Sequence, residues 1–307
     1  MRNTQRLAKK IGLVAVSAFF LAYGAWYFIN RGQPYSELIL ISNITWTHPG
    51  DERFGGFSGL EIGADGAMLI ALSDHPALYF ASIERDGELK ITSIDVTSWD
   101  RLTSDIGNYI DLLNGDTEGL ALTAGHGLFL SLEGFHTLNY VFPGSHVVNW
   151  IDLPPEMMKM PPNRGIEALA LDEIGRPLLI REGFENQGDA PIYRFEGDHW
   201  TIPYRLGHAG SFLPVGADLG PDGRLYILER DYVPLIGFKS QIRSFALGET
   251  QLEDEKLLFR SGLRDYDNLE GLSVWQTPAG RIRLTAISDD NFNWFQTTQV
   301  VEFELPQ

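Results

Sequence analysis

Residues 116 to 133 read D-T-E-G-L-A-L-T-A-G-H-G-L-F-L-S-L-E. Two short Leu-rich runs flank a Gly-containing turn, which is the pattern of a β-hairpin. The pattern recurs as S-G-L-E-I-G-A-D-G-A-M-L-I-A-L-S-D from Ser58 and as E-A-L-A-L-D-E-I-G-R-P-L-L-I-R-E from Glu167. It returns as D-L-G-P-D-G-R-L-Y-I-L-E-R-D from Asp218 and as E-G-L-S-V-W-Q-T-P-A-G-R-I-R-L-T-A-I-S-D-D from Glu270. The five starts are 60, 49, 51 and 52 residues apart, which leaves room after each hairpin for two further strands, such as 77–84 with 89–95 or 192–195 with 200–206. Four antiparallel strands per unit make the blade of a β-propeller. Only one strand, 299–305, follows the fifth hairpin, so 38–46 is predicted to return as the outer strand of the last blade. The expected fold is therefore an all-β propeller. Five blades are favoured; six remain possible because a degenerate blade could hide between Ser93 and Asp116, and an open β-sandwich explains the repeat less well. Helical spacing of Leu102, Ile106, Tyr109, Ile110 and Leu113 predicts one helix within 99–115.

Before the repeats, Arg2, Arg6, Lys9 and Lys10 precede an uncharged apolar run, 11–30, long enough to cross a bilayer as a helix with its positive end in the cytoplasm. Ala22-Tyr23-Gly24 is a poor cleavage site and the run exceeds an ordinary signal h-region. The expected organisation is a signal anchor over 1–30, a linker over 31–36 and the propeller over 37–307. This puts the propeller in the periplasm or outside the cell, anchored to a bacterial inner membrane, or secreted if the leader is cleaved.

The charge balance, 41 acidic against 24 basic residues and a net -17, repels nucleic acid and attracts cations. Cysteine is absent, which excludes disulfides, thiolate metal sites and cysteine nucleophiles. No P-loop or dinucleotide glycine pattern occurs, none of the 7 histidines has H-E-x-x-H spacing, and Ser58 lacks the glycine that a nucleophile elbow requires, so it reads as a turn residue.

Antiparallel pairing puts the start of each first strand and the end of each second strand on one side. Asp116, Glu118, Glu167, Asp218 and Glu270 fall at such starts; Asp74, Glu133, Glu182, Glu229, Asp231, Asp289 and Asp290 fall at such ends. If the first strands are innermost, these acids surround the mouth of the central channel. Two carboxylates about 4 Å apart repel by roughly 4 kcal/mol at an effective dielectric near 20, so cations, arginines or raised pKa values must compensate. Hard oxygen donors favour Ca²⁺, with Mg²⁺ second, over zinc. Asn163, Asn268 and Asn291 could add neutral oxygens. Arg53, Arg164, Arg181 and Arg230, on the same face, could neutralise the acids or hold an anionic substrate group. His75 follows Asp74 there. Phe292, Trp294 and Phe295 could wall a pocket or cover a blade edge.

The motifs G-G-F-S-G-L at 55–60, S-D at 73–74, D-T-E-G-L-A-L at 116–122, N-R-G-I-E-A-L-A-L at 163–171, N-L-E-G-L-S-V at 268–274 and S-D-D-N-F at 288–292 occur in order. Together they resemble the phytase-like domain described by esterase-like activity, found in extracytoplasmic bacterial proteins. The resemblance implies a propeller hydrolase of phosphate or carboxylate esters that uses calcium. The matching acids are Asp74, Asp116, Glu118, Glu133, Glu167, Glu229, Glu270, Asp289 and Asp290; in the fourth repeat Ala217-Asp218 stands where a glutamate is expected. The expected function is a metal-dependent ester hydrolase with Glu118, Glu167, Glu270 and His75 as candidate catalytic residues. A non-catalytic propeller binding a cell-envelope partner or ligand is the competing class, and a lactonase-like sugar-acid hydrolase on six blades is a third.

Overall fold

Each of the five hairpins forms, and each acquires its two further strands. The computed structural model describes Gly24 and residues 32–110, 116–132, 137–154, 156–157, 165–181, 183 and 188–307. Apart from Gly24, the predicted membrane segment 1–30 lies outside them; among the described residues no helix is long and apolar enough to cross a membrane. The chain divides into two compact units, Met1–Pro34 and Tyr35–Gln307, of which the second is a five-bladed propeller.

The propeller begins with β1 (Tyr35–Ser36) and β2 (Ile39–Thr45). The first blade is β3 (Phe57–Ile62), β4 (Met68–Ser73), β5 (Ala77–Arg85) and β6 (Ile91–Arg101). The second is β7 (Thr117–Leu122), β8 (Leu128–Leu132), β9 (Thr137–Val141) and β10 (Val148–Asp152). The third is β11 (Ile166–Leu171), β12 (Pro177–Arg181), β13 (Ala190–Phe195) and β14 (Trp200–Leu206). The fourth is β15 (Leu213–Leu219), β16 (Arg224–Val233), β17 (Gly237–Leu247) and β18 (Leu252–Arg260). The fifth is β19 (Asn268–Gln276), β20 (Ile282–Asp289) and β21 (Gln299–Glu304), completed by β2 from the start of the domain. The predicted closure thus pairs Ile39 with Glu304 and Thr45 with Gln299. β1 adds a fifth strand to the fourth blade, beside β18.

β3, β7, β11, β15 and β19 are neighbours around the axis and close the ring. Five apolar clusters fill the five joints between blades; Phe57, Tyr79, Trp275 and Val300, for example, join the fifth blade to the first. Burial on both faces explains why the inner strands read as nearly continuous apolar runs.

Every inner hairpin carries a register shift at its start, between Phe57 and Gly59, Thr117 and Leu120, Ile166 and Ala168, Pro214 and Gly216, and Leu269 and Gly271. Such a bulge re-aims one side chain. The equivalent residues are Ser58, Glu118, Glu167, Val215 and Glu270. The next position is glycine in four blades because adjacent inner strands touch there: a Cβ on Gly119 would stand 2.5 Å from Leu169 Cβ, and one on Gly216 2.3 Å from the Glu270 carbonyl. The repeated E-G-L therefore has a steric cause.

This register corrects two expectations. Val215, not Asp218, holds the bulge position near the start of the fourth inner strand; Asp218 lies three residues further along, opposite Tyr226. Ser58 lies buried in β3, not in a turn, with its hydroxyl donating to the Thr117 carbonyl at 2.6 Å. The helix predicted within 99–115 is also absent from the described part of that segment. β6 continues to Arg101, Thr103 bridges Tyr109 and Val147, and Gly107 N–H closes a turn on Ser104 at 2.9 Å. Leu102 and Ile110 reach the core from opposite ends of that turn, which mimics helical spacing.

Candidate functional site

The bulges turn Glu118, Glu167 and Glu270 toward the axis, and the ends of β4 and β20 bring Asp74 and Asp289 beside them. The electrostatic neighbours trace the cluster. Burial raises the Asp74 carboxyl well above its ordinary range, and Asp289, Glu270 and Asp116 raise it further. Burial does the same to Glu118, with Glu167, Asp74, Glu270 and Asp116 adding to it. Asp289 is pushed up to about 8, first by burial and then by Glu270. Asp116 is raised by partial desolvation alone. These six acids come from the first, second, third and fifth blades; Val215 leaves the fourth without one.

Arginine stands among them. Arg230 pairs with Glu270 and donates to Asn268 Oδ1 at 3.0 Å. Asn268 Nδ2 donates to Glu270 at 2.8 Å and to Asp289 at 3.2 Å, so Asn268 supplies N–H donors to the acids and no neutral oxygen. Asp74 Oδ1 is buried without a hydrogen-bond partner among the described residues.

Other candidates stand elsewhere. Glu229 is fully buried against Arg243, 2.5 Å away, and accepts from Gln241 at 2.7 Å, so it belongs to an internal ion pair rather than to the mouth. Asp290 is consumed by the backbone: it accepts from Gly56 N–H and Phe292 N–H, both at 3.0 Å, and from Thr298 Oγ1 at 2.9 Å. Gly55 and Gly56 exist for that contact, since a Cβ on either would strike Asp290 or the Phe292 ring. G-G at 55–56 and D-N-F at 290–292 are therefore the two halves of one joint. His75 stacks on Phe292 at 3.8 Å, and burial lowers its pKa, with Arg53 adding to the effect. Arg53 lies over Trp99 at 4.2 Å and within 3.6 Å of Asp51. Arg181 ends β12 opposite Ile166, on the rim next to Glu167. Glu133, Arg164, Glu182 and Asn163 lie outside the described residues.

Asp218 belongs to a second acid pair, whose other member, Glu61, escaped the sequence reading. Glu61 and Asp218 both lie three residues beyond their bulge, deeper along the channel. Glu61 accepts from Leu122 N–H at 2.9 Å and from Ser273 Oγ at 3.3 Å. Asp218 accepts from Val274 N–H at 2.6 Å. Burial raises both, with Asp218 reaching about 7 and Glu61 rising further under the Asp218 charge. Each carboxyl clasps the neighbouring blade, which assigns the pair to the ring rather than to the mouth. Glu61 sits in the S-G-L-E-I run of the first repeat; counting from the bulge would have exposed it.

The profile of the family described as phytase-like, esterase-like activity of phytase, matches residues 52–292. No curated protein matches the chain. Among solved structures, a PQQ-bound aldose sugar dehydrogenase from Streptomyces coelicolor is 11% identical, with 89% of this chain and 99% of that chain covered and a TM-score of 0.44. A gluconolactonase from Xanthomonas campestris is 12% identical over 80% and 72% of the two chains, with a TM-score of 0.43. A protein of unknown function from Dyadobacter fermentans is 12% identical over 86% and 79%, with a TM-score of 0.45. At these identities and scores the three likenesses decide nothing about the chemistry of this chain.

Proposed function

The chain belongs to the phytase-like family described by esterase-like activity of phytase, and from that premise we propose that it hydrolyses phosphate or carboxylate esters at the mouth of its channel. The observation that carries this reading is the convergence of six carboxyls from four blades on one opening with Arg230 as their paired cation. In the same reading the N-terminal residues 1–30 tether the propeller to the bacterial inner membrane, outside the cytoplasm.

The donor set is hard oxygen throughout, which suits Ca²⁺ and, less well, Mg²⁺. Asp74 Oδ1, buried and without a hydrogen-bond partner among the described residues, is an atom that a cation would satisfy. Among the described residues no three His, Asp or Glu side chains stand close enough to hold an ion as they are, so holding one requires Asp74, Glu118 and Glu270 to turn inward. When bound, a divalent cation supplies polarisation of the ester oxygen and acidification of water.

The residues supply the rest. Asp289, raised to about 8, keeps a proton at neutral pH and can give it to the leaving alkoxide. Glu167, on the third blade, takes the proton of the attacking water. Arg230 turns from Glu270 to the anionic part of the ester. His75 is held neutral behind Phe292 and helps to shape the rim.

The test uses the full chain with p-nitrophenyl phosphate and p-nitrophenyl acetate, with added calcium or with chelator. Turnover that needs calcium, and that Asp289→Asn and Glu118→Gln each lower by about a hundredfold or more, is expected. Calcium should also raise the melting temperature of the wild type and not that of Glu118→Gln. Turnover indifferent to both substitutions would remove the mouth as the active site.

A further inference from the structure

Residues 232–238, Y-V-P-L-I-G-F, and 291–298, N-F-N-W-F-Q-T-T, are uncharged stretches in a chain of net charge -17. Each continues directly from a group of the mouth. The first begins two residues after Arg230 and spans the turn between β16 and β17; the second begins two residues after Asp289 and lies between β20 and β21. Their apolar side chains stand in water: Leu235 is fully exposed, Trp294 94% and Phe295 66% exposed. Exposed apolar surface of this kind marks an interaction site.

The segment 261–267 ties the two tips together. Arg264 N–H donates to the Phe238 carbonyl at 3.0 Å, while Asp267 accepts from Gln296 Nε2 at 3.0 Å and from Thr297 N–H at 2.8 Å. An aromatic pair links the acids to the second tip. Phe292 lies flat on His75 at 3.8 Å, and His75 follows Asp74 in the chain. Burial and Arg53 lower the His75 pKa, so its ring is uncharged at pH 7. A Cβ on Gly56 would strike the Phe292 ring, which places that ring against the entry to β3. Phe292 keeps this position at a φ of 52°, a conformation that side chains disfavour and that persists where the surroundings impose it.

Sites for small ligands are mostly apolar, with a few polar groups that orient the ligand. The acids, Asn268 and Arg230 supply only the polar part. The apolar part begins at the same groups, on the fourth and fifth blades, where the chain runs on from Arg230 and from Asp289 into the two tips. A head group held at the acids directs an attached chain along His75 and Phe292 toward Trp294. A fully hydrophilic ester would leave that ledge wet.

Resting on the hydrolase reading above, we infer that the substrate is amphiphilic: an ester whose polar head meets Arg230 and the acids, and whose alkyl tail of several carbons lies on Phe292, Trp294 and Phe295. The 232–238 tip flanks the tail on the fourth blade.

Calorimetry with ethyl and n-octyl phosphate measures the ledge without turnover, and p-nitrophenyl acetate against p-nitrophenyl octanoate measures it in hydrolysis. In the full chain, octyl phosphate should bind about tenfold or more tighter than ethyl phosphate, and kcat/KM should favour the octanoate by a similar factor. Trp294→Ser and Phe295→Ser, both at exposed positions, should each reduce the two ratios by about threefold or more. Wild type and variants share residues 11–30, so uptake by that apolar run cancels in the comparison. Equal affinity for the two phosphates in the wild type, or ratios unchanged in both variants, overturns the ledge. Dimers in sedimentation that Trp294→Ser dissociates, with the ratios unmoved, would assign the tip to a second copy and overturn it too. Turnover of neither ester overturns the hydrolase reading alone, and the phosphate affinities still decide the ledge.

Discussion

A carboxyl that titrates near 8 in the folded protein and near 3.8 in the unfolded chain ties stability to pH in a fixed direction. Between those values the folded state keeps a proton that the unfolded state has released, so stability is greatest below about pH 4 and falls as pH rises through 8. Asp289 is such a group, and burial pushes Asp74 and Glu118 the same way. In chelator, the melting temperature should fall from pH 5 to pH 8, and Asp289→Asn should flatten that fall by roughly 5 °C. A melting temperature that climbs over this interval would mean that the acids are neutralised by other groups. At this scale the sequence was partly legible. Equivalent positions in the repeat located Glu118, Glu167 and Glu270, whereas Glu229 and Asp290 share the strand-end pattern but are satisfied by Arg243 and by backbone N–H groups. Charge pattern cannot show which partner an acid finds, because the partner lies on another strand.

Among elements, the joint between the first and fifth blades carries the closure of the ring. Arg85 on β5 makes a bidentate pair with Glu302 on β21 at 2.8 and 2.9 Å, and Arg283 on β20 reaches Glu302 and Glu304, each at 2.8 Å. Glu302 and Arg283 are fully buried, so removing one partner leaves a charge unpaired in the interior. Glu302→Gln should lower unfolding free energy by about 3 to 5 kcal/mol in denaturant titration. Glu88→Gln, which breaks the exposed pair with Lys90, should change it little. Gly216→Ala places a methyl against the Glu270 carbonyl and should cost about 1 to 3 kcal/mol while displacing Glu270. The strand-turn-strand repeat and the return of β2 could be read from sequence because each is local or required by strand counting. The helix expected within 99–115 failed because a turn between two core-directed residues copies helical spacing. β1 gave no sign because two residues carry no periodicity.

For the whole molecule, the repeat geometry forces acids far apart in the chain to share one opening. The fourth blade departs from the pattern: Val215 at its bulge breaks the ring of acids, and Arg230 on β16 faces Glu270 instead. The central claim is that these carboxyls form one electrostatic unit that takes up a cation by giving up protons. Calorimetric titration of calcium into the full chain at pH 7, repeated in buffers of different ionisation heat, measures this directly. Binding with net proton release that Glu118→Gln and Asp74→Asn each abolish is the predicted result. Binding without proton release, unchanged in both variants, would contradict it.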